Sequence, residues 1–273
     1  MAGYLVDLLL PDAPEQMVMP ATAQLVFTCL WAGVVSLFVL YAAYELVKRR
    51  TPLPFVLLAG GAICYFNEPI DDLLGLVWHP RPGQWIAFDT FEPVPVWGVF
   101  VYMALFGGIP YLMFQAFQRG VTARQIWTWV GVFWVADIAV EIPALHFGMY
   151  DYFGNPPFEV AGLPLYWFAI NIGGPLETAL LLFVFAHRFT GPRMLLLLPL
   201  PMILDAAGSV GAGWPIFSAL HAQASTPVKY ACALATFAIA ATLLKVTVDF
   251  AARKSQEAQL GTGAGVAAQP VRI

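Results

Sequence analysis

The sequence predicts an all-α protein, a polytopic membrane bundle of about seven transmembrane helices. Three observations predict it. The 273 residues are 60% hydrophobic and 11% charged, whereas a soluble domain carries about a quarter charged residues. The mean hydropathy is +0.73. Several apolar stretches exceed the roughly 20 residues that a helix needs to cross a bilayer core. The short alternating segments of a β-barrel are absent. The lipid bilayer is therefore an expected partner, any ligand is expected to be lipophilic, and a formal charge of −4 argues against nucleic acid. Composition does not speak to oligomeric state.

Residues 1–21 are expected to form an N-terminal interfacial segment. They lack a basic start and carry acids, so the first membrane helix is read as the targeting signal. Seven spans follow within a 22–252 membrane domain, near 22–47, 53–77, 95–118, 123–145, 164–187, 194–218 and 227–251. "KRRTPLP" closes the first, "QRGVTARQ" separates the third from the fourth, and "HRFTGPR" separates the fifth from the sixth. Thr122 and Thr226 are candidate N-caps, the second followed by Pro227. Residues 253–273, small and polar, read as a disordered tail. No internal repeat stands out.

Lys48, Arg49, Arg50, Arg119, Arg124, Arg188, Arg193, Lys245, Arg253, Lys254 and Arg272 fall on one side of this arrangement, and only Arg81 and Lys229 on the other. The positive-inside rule then expects a cell-membrane protein with its N-terminus outside and its C-terminus cytoplasmic. Trp78, Trp85, Trp97, Trp167 and Trp214, at the outer ends, read as an interfacial belt. Cys29, Cys64 and Cys232 have no paired spacing and read as small apolar residues.

The acids inside the spans need a reason, because an ionisable group at the bilayer centre costs roughly 2.5–3.5 kcal/mol on insertion scales. Glu68 lies fifteen residues past Leu53, about 22 Å at the helical rise, and Asp137 lies fifteen past Thr122. Asp205 is about 18 Å beyond Arg193, and Glu177 about 16 Å from Arg188. Four helices thus bring acids to matched depths. Glu68, Asp71 and Asp72 share one helical face, as do Asp137 and Glu141. Asn67 and Asn171 accompany them. Pro69, Pro143 and the run "NIGGP" loosen the helices beside them, a feature tolerated where backbone lines a cavity.

The reading is a polar chamber toward the outer side, without a basic residue at that depth. Such a crowd of carboxyls can hold protons and serve as general acids. Glu68, Asp137 and Glu141 are the candidate catalytic residues. Asn67, Asp72, Trp85, Asp89, Tyr152, Asn171, Glu177 and Asp205 are the candidate substrate-binding residues. The loops 79–97 and 146–164 would form an aromatic lid. His79, His146 and His221 lie at outer ends, yet no metal-binding spacing occurs within one helix, so no metal is expected. Phosphate-loop, nucleophile-elbow and dinucleotide fingerprints are absent, so no cofactor is expected.

At "EPIDDLLGLVWHPRPGQWIAFDTFEPVPVWGV", "WVADIAVEIPA", "YDYFGNPPF" and "LYWFAINIGGPL", the chain resembles the spirocyclase AveC-like family of actinobacterial membrane proteins. The resemblance covers about residues 60–180, and "GQWxAFxTF" with "EIP" is its most specific part. It implies a cyclase or dehydratase that closes spiroketals in polyketide biosynthesis. Of Glu68 and Asp137, one would then be the proton donor and the other the cation-facing carboxylate, in either order, with Glu141 modulating Asp137 and with Trp85 and Tyr152 shielding the cation. Two alternatives share the intramembrane acids. One is a proton-initiated terpenoid or carotenoid cyclase; the other is a small-molecule transporter, which usually shows broken helices in repeated halves. A retinal-binding photoreceptor would need a lysine mid-way along the last span, whereas Lys245 lies near its inner end with Asp249 as a surface partner.

Overall fold

A computed structural model describes residues 13–90 and 92–263. Seven of its helices are long and apolar enough to cross a membrane, which makes this a multi-pass membrane protein. They are α1 (Ala21–Arg49), α2 (Leu53–Gly75), α3 (Val96–Arg119), α4 (Ala123–His146), α5 (Tyr166–Arg188), α6 (Gly191–His221) and α7 (Thr226–Gly263). The first six agree with the expected spans to within three residues. The last does not end near 251. It continues as helix into the stretch expected to be disordered, where Lys254 and Arg253 pair with Glu257 and Ser255 packs on Phe117 O. Tail residues 264–273 and interfacial residues 1–12 lie outside the described residues.

Local chemistry explains the irregular helices. Pro69 has no N–H to give to Tyr65 O one turn back, and the chain tightens into a 3-10 turn over Tyr65–Asn67. A wide π-turn, Met103–Gly108, precedes Pro110 in α3. In α5 the helix breaks at Asn171 and restarts at Gly173, before Pro175. Pro143 is accommodated inside α4 without ending it, and Thr122 caps that helix in a reciprocal box with Gln125.

Helices α2 and α3 meet backbone to backbone. A Cβ on Gly61 would stand 2.7 Å from Tyr102 O, and one on Gly107 would stand 2.6 Å from Leu57 O. Only glycine permits that approach.

The lid consists of three two-stranded ribbons. β1 (Val77–Trp78) pairs with β4 (Asp151–Tyr152), β2 (Ile86–Asp89) with β3 (Pro93–Pro95), and β5 (Glu159–Val160) with β6 (Leu163–Pro164), all antiparallel. The first ribbon joins the two long loops, placing Val77 opposite Tyr152. The Gln24 side chain fastens the lid to α1, donating to Gly83 O at 3.1 Å and accepting from the Trp85 N–H at 2.7 Å. Beneath it lies a core of Trp78, Trp97, Met149, Tyr166, Trp167 and Phe217. Three of the five tryptophans read as an interfacial belt are therefore core residues; Trp85 and Trp214 remain exposed.

Candidate functional site

A cavity of about 690 Å³ lies under the lid between α1, α3 and α4, with α2, α5 and α6 behind it. Most of its wall is apolar. Its polar groups form two hydrogen-bonded sets carried by different helices, and no lysine or arginine lines it among the described residues.

The first set comes from α2, α3 and α6. The 3-10 turn and Pro69 open the helix so that Glu68, Asp71 and Asp72 all reach the cavity. The Tyr102 hydroxyl donates to Glu68 Oε2 at 2.5 Å, and Ser209 donates to Asp71 Oδ1 at 3.2 Å. Asp205 Oδ2 accepts from Asn67 Nδ2 at 2.9 Å and from the Cys64 thiol at 3.6 Å.

The second set comes from α4, α5 and β4. Asn171 donates to Asp137 Oδ2 at 3.4 Å, from the residue where α5 breaks. The Tyr150 and Tyr152 hydroxyls both donate to Glu141 Oε2, at 2.6 and 3.1 Å. Burial and then the neighbouring Glu141 charge push both phenols well above their ordinary value, so they stay protonated and act only as donors.

His79 spans the outer end. Its Nδ1 lies 3.1 Å from Asp72 Oδ2, and its ring lies against Trp97 and Tyr150. Burial holds this imidazole below the usual range, against the opposing pull of Glu68, Glu92 and Glu141, so it is neutral at neutral pH. Glu92, in the turn before β3, is fully buried with neither carboxylate oxygen hydrogen-bonded. Burial raises it to about 7, with His79 and Arg81 drawing it back.

Of the expected residues, Glu68, Asp72, Asp137, Glu141, Tyr152, Asn171 and Asp205 converge on this one cavity. Asn67 stands one step behind, bonded to Asp205 and to Met202 O. Three do not join. Trp85 and Asp89 are exposed, because the β2–β3 hairpin turns them outward. Glu177 lines a separate small crevice with Gly173, Gly208 and Ala240. It lies beyond the break in α5 and faces α6 and α7 rather than the cavity.

Tyr102 carried no sequence signal, since a tyrosine near a span end reads as an interfacial anchor. Asp71, expected on the same helical face as Glu68 and Asp72 but not among the candidate site residues, is buried and lines the cavity.

Among the described residues, one grouping could hold a metal. Ligand atoms of Glu68, Asp72 and His79 all lie within 4.8 Å of one another. The absence of a metal-binding spacing within one helix could not reveal it, because the histidine comes from the loop after α2. Two carboxylates and an imidazole suit a divalent cation of borderline hardness.

No family model matches the chain, and no match was found among curated proteins or solved structures.

Proposed function

We propose that the chain is a membrane-embedded cyclase or dehydratase of the spiroketal-forming type, related to the AveC-like spirocyclases. It acts by carboxyl acid–base catalysis on an oxygenated, lipophilic, polyketide-like substrate. One observation carries the reading: carboxyls from separate helices line one largely apolar cavity, each with a hydrogen-bond donor and, among the described residues, none with a lysine or arginine.

In this reading the substrate presents a ketone flanked by two hydroxyls. One hydroxyl adds to the ketone to give a hemiketal. A protonated carboxyl, Glu68 or Asp137, gives its proton to the hemiketal hydroxyl, which leaves as water. The opposing carboxylate faces the resulting oxocarbenium ion. The second hydroxyl attacks, and that carboxylate takes its proton. One water is lost per spiroketal formed, at the second ring closure. Dehydration uses the same pair, with the proton taken from carbon. The apolar wall limits water that would reverse either step. Tyr102 and the Tyr150–Tyr152 pair keep the carboxyls aimed at the cavity. Tyr152 and Trp97 offer ring faces to the cation, a contribution of about 1–2 kcal/mol when desolvated.

The test is turnover by purified Glu68→Gln and Asp137→Asn proteins. Full activity in both would overturn the assignment.

The Glu68–Asp72–His79 grouping favours a second reading, in which these three residues would hold a divalent ion, Glu68 as a ligand, and the ion would supply Lewis-acid polarisation of the ketone oxygen. Chelation separates the two: it leaves the acid–base enzyme active and abolishes the metal-assisted one.

We also propose that the N-terminus lies outside the cell and the C-terminus in the cytoplasm. Lys48, Arg119, Arg124 and Arg188 gather at the end of the bundle opposite the lid. Reporter fusions in the 119–124 loop should read cytoplasmic.

A further inference from the structure

We infer that the cavity admits its ligand sideways from the bilayer, between α1 and α4. The ligand is a single-chain amphiphile, its oxygenated end at the carboxylates and its hydrocarbon chain directed away from the lid. The identity of the oxygenated end rests on the reading above; the path and the chain do not.

Polarity sets the orientation. The carboxyls and phenols lie toward the lid, whereas below Asp137 the wall consists of Phe38, Leu112, Met113, Ala116, Trp129 and Phe133. Trp129 is eight residues inward of Asp137 and twelve inward of Glu141, about 12 and 18 Å at the helical rise. That is about half of a hydrocarbon core of roughly 30 Å, the depth of one leaflet. A chain lying there has the orientation of a lipid in the leaflet nearest the lid.

Size sets the number of chains. About 690 Å³ is a pocket for one drug-sized molecule, a head with one tail, and is too small for a two-chain phospholipid.

Closure sets the path. Above the polar end, β1 and β4 are hydrogen-bonded together, and Trp78, Trp97, Met149 and Tyr150 are buried beneath them. At the inner end Trp129 lies against Phe117, with ring centroids 6.2 Å apart, and Met113 and Phe133 are buried. The side facing α1 differs. Helix α1 packs on α2 and α3, and α4 packs on α5 and α7, but α1 and α4 share no extensive contact among the described residues. They face each other across the cavity through Trp31 and Val34 on one wall and Val132 and Ala136 on the other. An apolar ligand passing there breaks no backbone hydrogen bond; one passing through the lid must break the β1–β4 pair.

The test uses two photoreactive fatty alcohols in lipid nanodiscs with the full chain. One carries a diazirine at the chain terminus, the other beside the hydroxyl. After irradiation, the labelled peptides are mapped. The terminal probe should label 109–116 and 129–133, and the hydroxyl-side probe 68–79 and 150–152. Val34→Trp and Val132→Trp, on opposite walls of the seam, should each lower both signals about tenfold, with thermal melting in detergent as the folding control.

Reversed labels would overturn the orientation. Labels confined to outward residues such as Val39 and Val135 would overturn the site. Undiminished labelling in both folded seam variants would overturn the lateral path. Labelling involves no turnover, so loss of the acid–base reading would leave this pattern intact, and the reverse also holds.

Discussion

Helix α3 presents two tyrosines nine residues apart, and each donates its hydroxyl to a glutamate of a neighbouring span. Tyr111 meets Glu45 of α1 at 2.8 Å; Tyr102 meets Glu68 of α2 at 2.5 Å. The local bond is the same and the surroundings differ. Glu45 is fully buried in packed side chains, and Arg49 Nη1 one turn on lies 3.3 Å from the same oxygen. Among the described residues Glu68 has no lysine or arginine partner, and it opens on the cavity among Asp71, Asp72, Asp205 and the neutral His79. A compensated carboxyl without free space beside it is structural. An uncompensated one facing space is available for proton transfer.

The largest effect should separate these two glutamates. Glu68→Gln and Asp137→Asn should each lower turnover by a factor of about 10²–10⁴, while Glu45→Gln leaves turnover unchanged and lowers the melting temperature. Next come the tyrosines. Tyr102→Phe should lower the rate about tenfold, because Glu68 loses the donor that aims it. Tyr111→Phe should instead cost about 1 kcal/mol of stability with the rate intact. Steady-state kinetics and thermal unfolding, run on both variants, check the contrast.

A pH series sharpens it further. Glu92, raised to about 7 from 4.5, is more readily protonated in the folded chain. Its contribution to stability is complete below 4.5 and is lost as pH rises through about 7. His79 has the opposite sign: with its folded value lowered, its contribution is present above about 6.5 and lost as pH falls. Glu92→Gln should therefore raise the melting temperature at pH 8 and change it little at pH 5. The smallest effect belongs to Arg49→Gln. That arginine is half exposed, so the loss should be a few tenths of a kcal/mol and should shrink with added salt.

Much of this site was legible from helix geometry alone. The 1.5 Å rise placed Glu68, Asp137 and Asp205 at matched depth, and the spacing of Asp137 and Glu141 placed them on one face. The exclusion of Glu177 was not legible, because α5 breaks between Asn171 and Gly173 and the break decides which way the following residues point. Trp85 and Asp89 were not legible, because a hairpin with a register shift between Ile86 and Phe88 decides which way they point. Glu45 escaped notice because an acid beside Lys48 and Arg49 reads as interfacial. The helical stretch past 253 escaped because its composition is that of a tail, whereas its order comes from packing on Phe117 and Gln118.

The glycine contact of α2 with α3 has a mechanical consequence. Two backbones pressed together at Gly61 and Gly107 cannot slide without steric overlap, so this pair acts as the rigid post of the bundle. Any change in cavity width must then be taken up on the other side, where α4 stands apart from α1. Lateral pressure in the surrounding bilayer acts directly on that wall. A tightly packed membrane should then narrow the chamber and a loosely packed one widen it, which the size of ligand bound in nanodiscs of differing lipid packing would check.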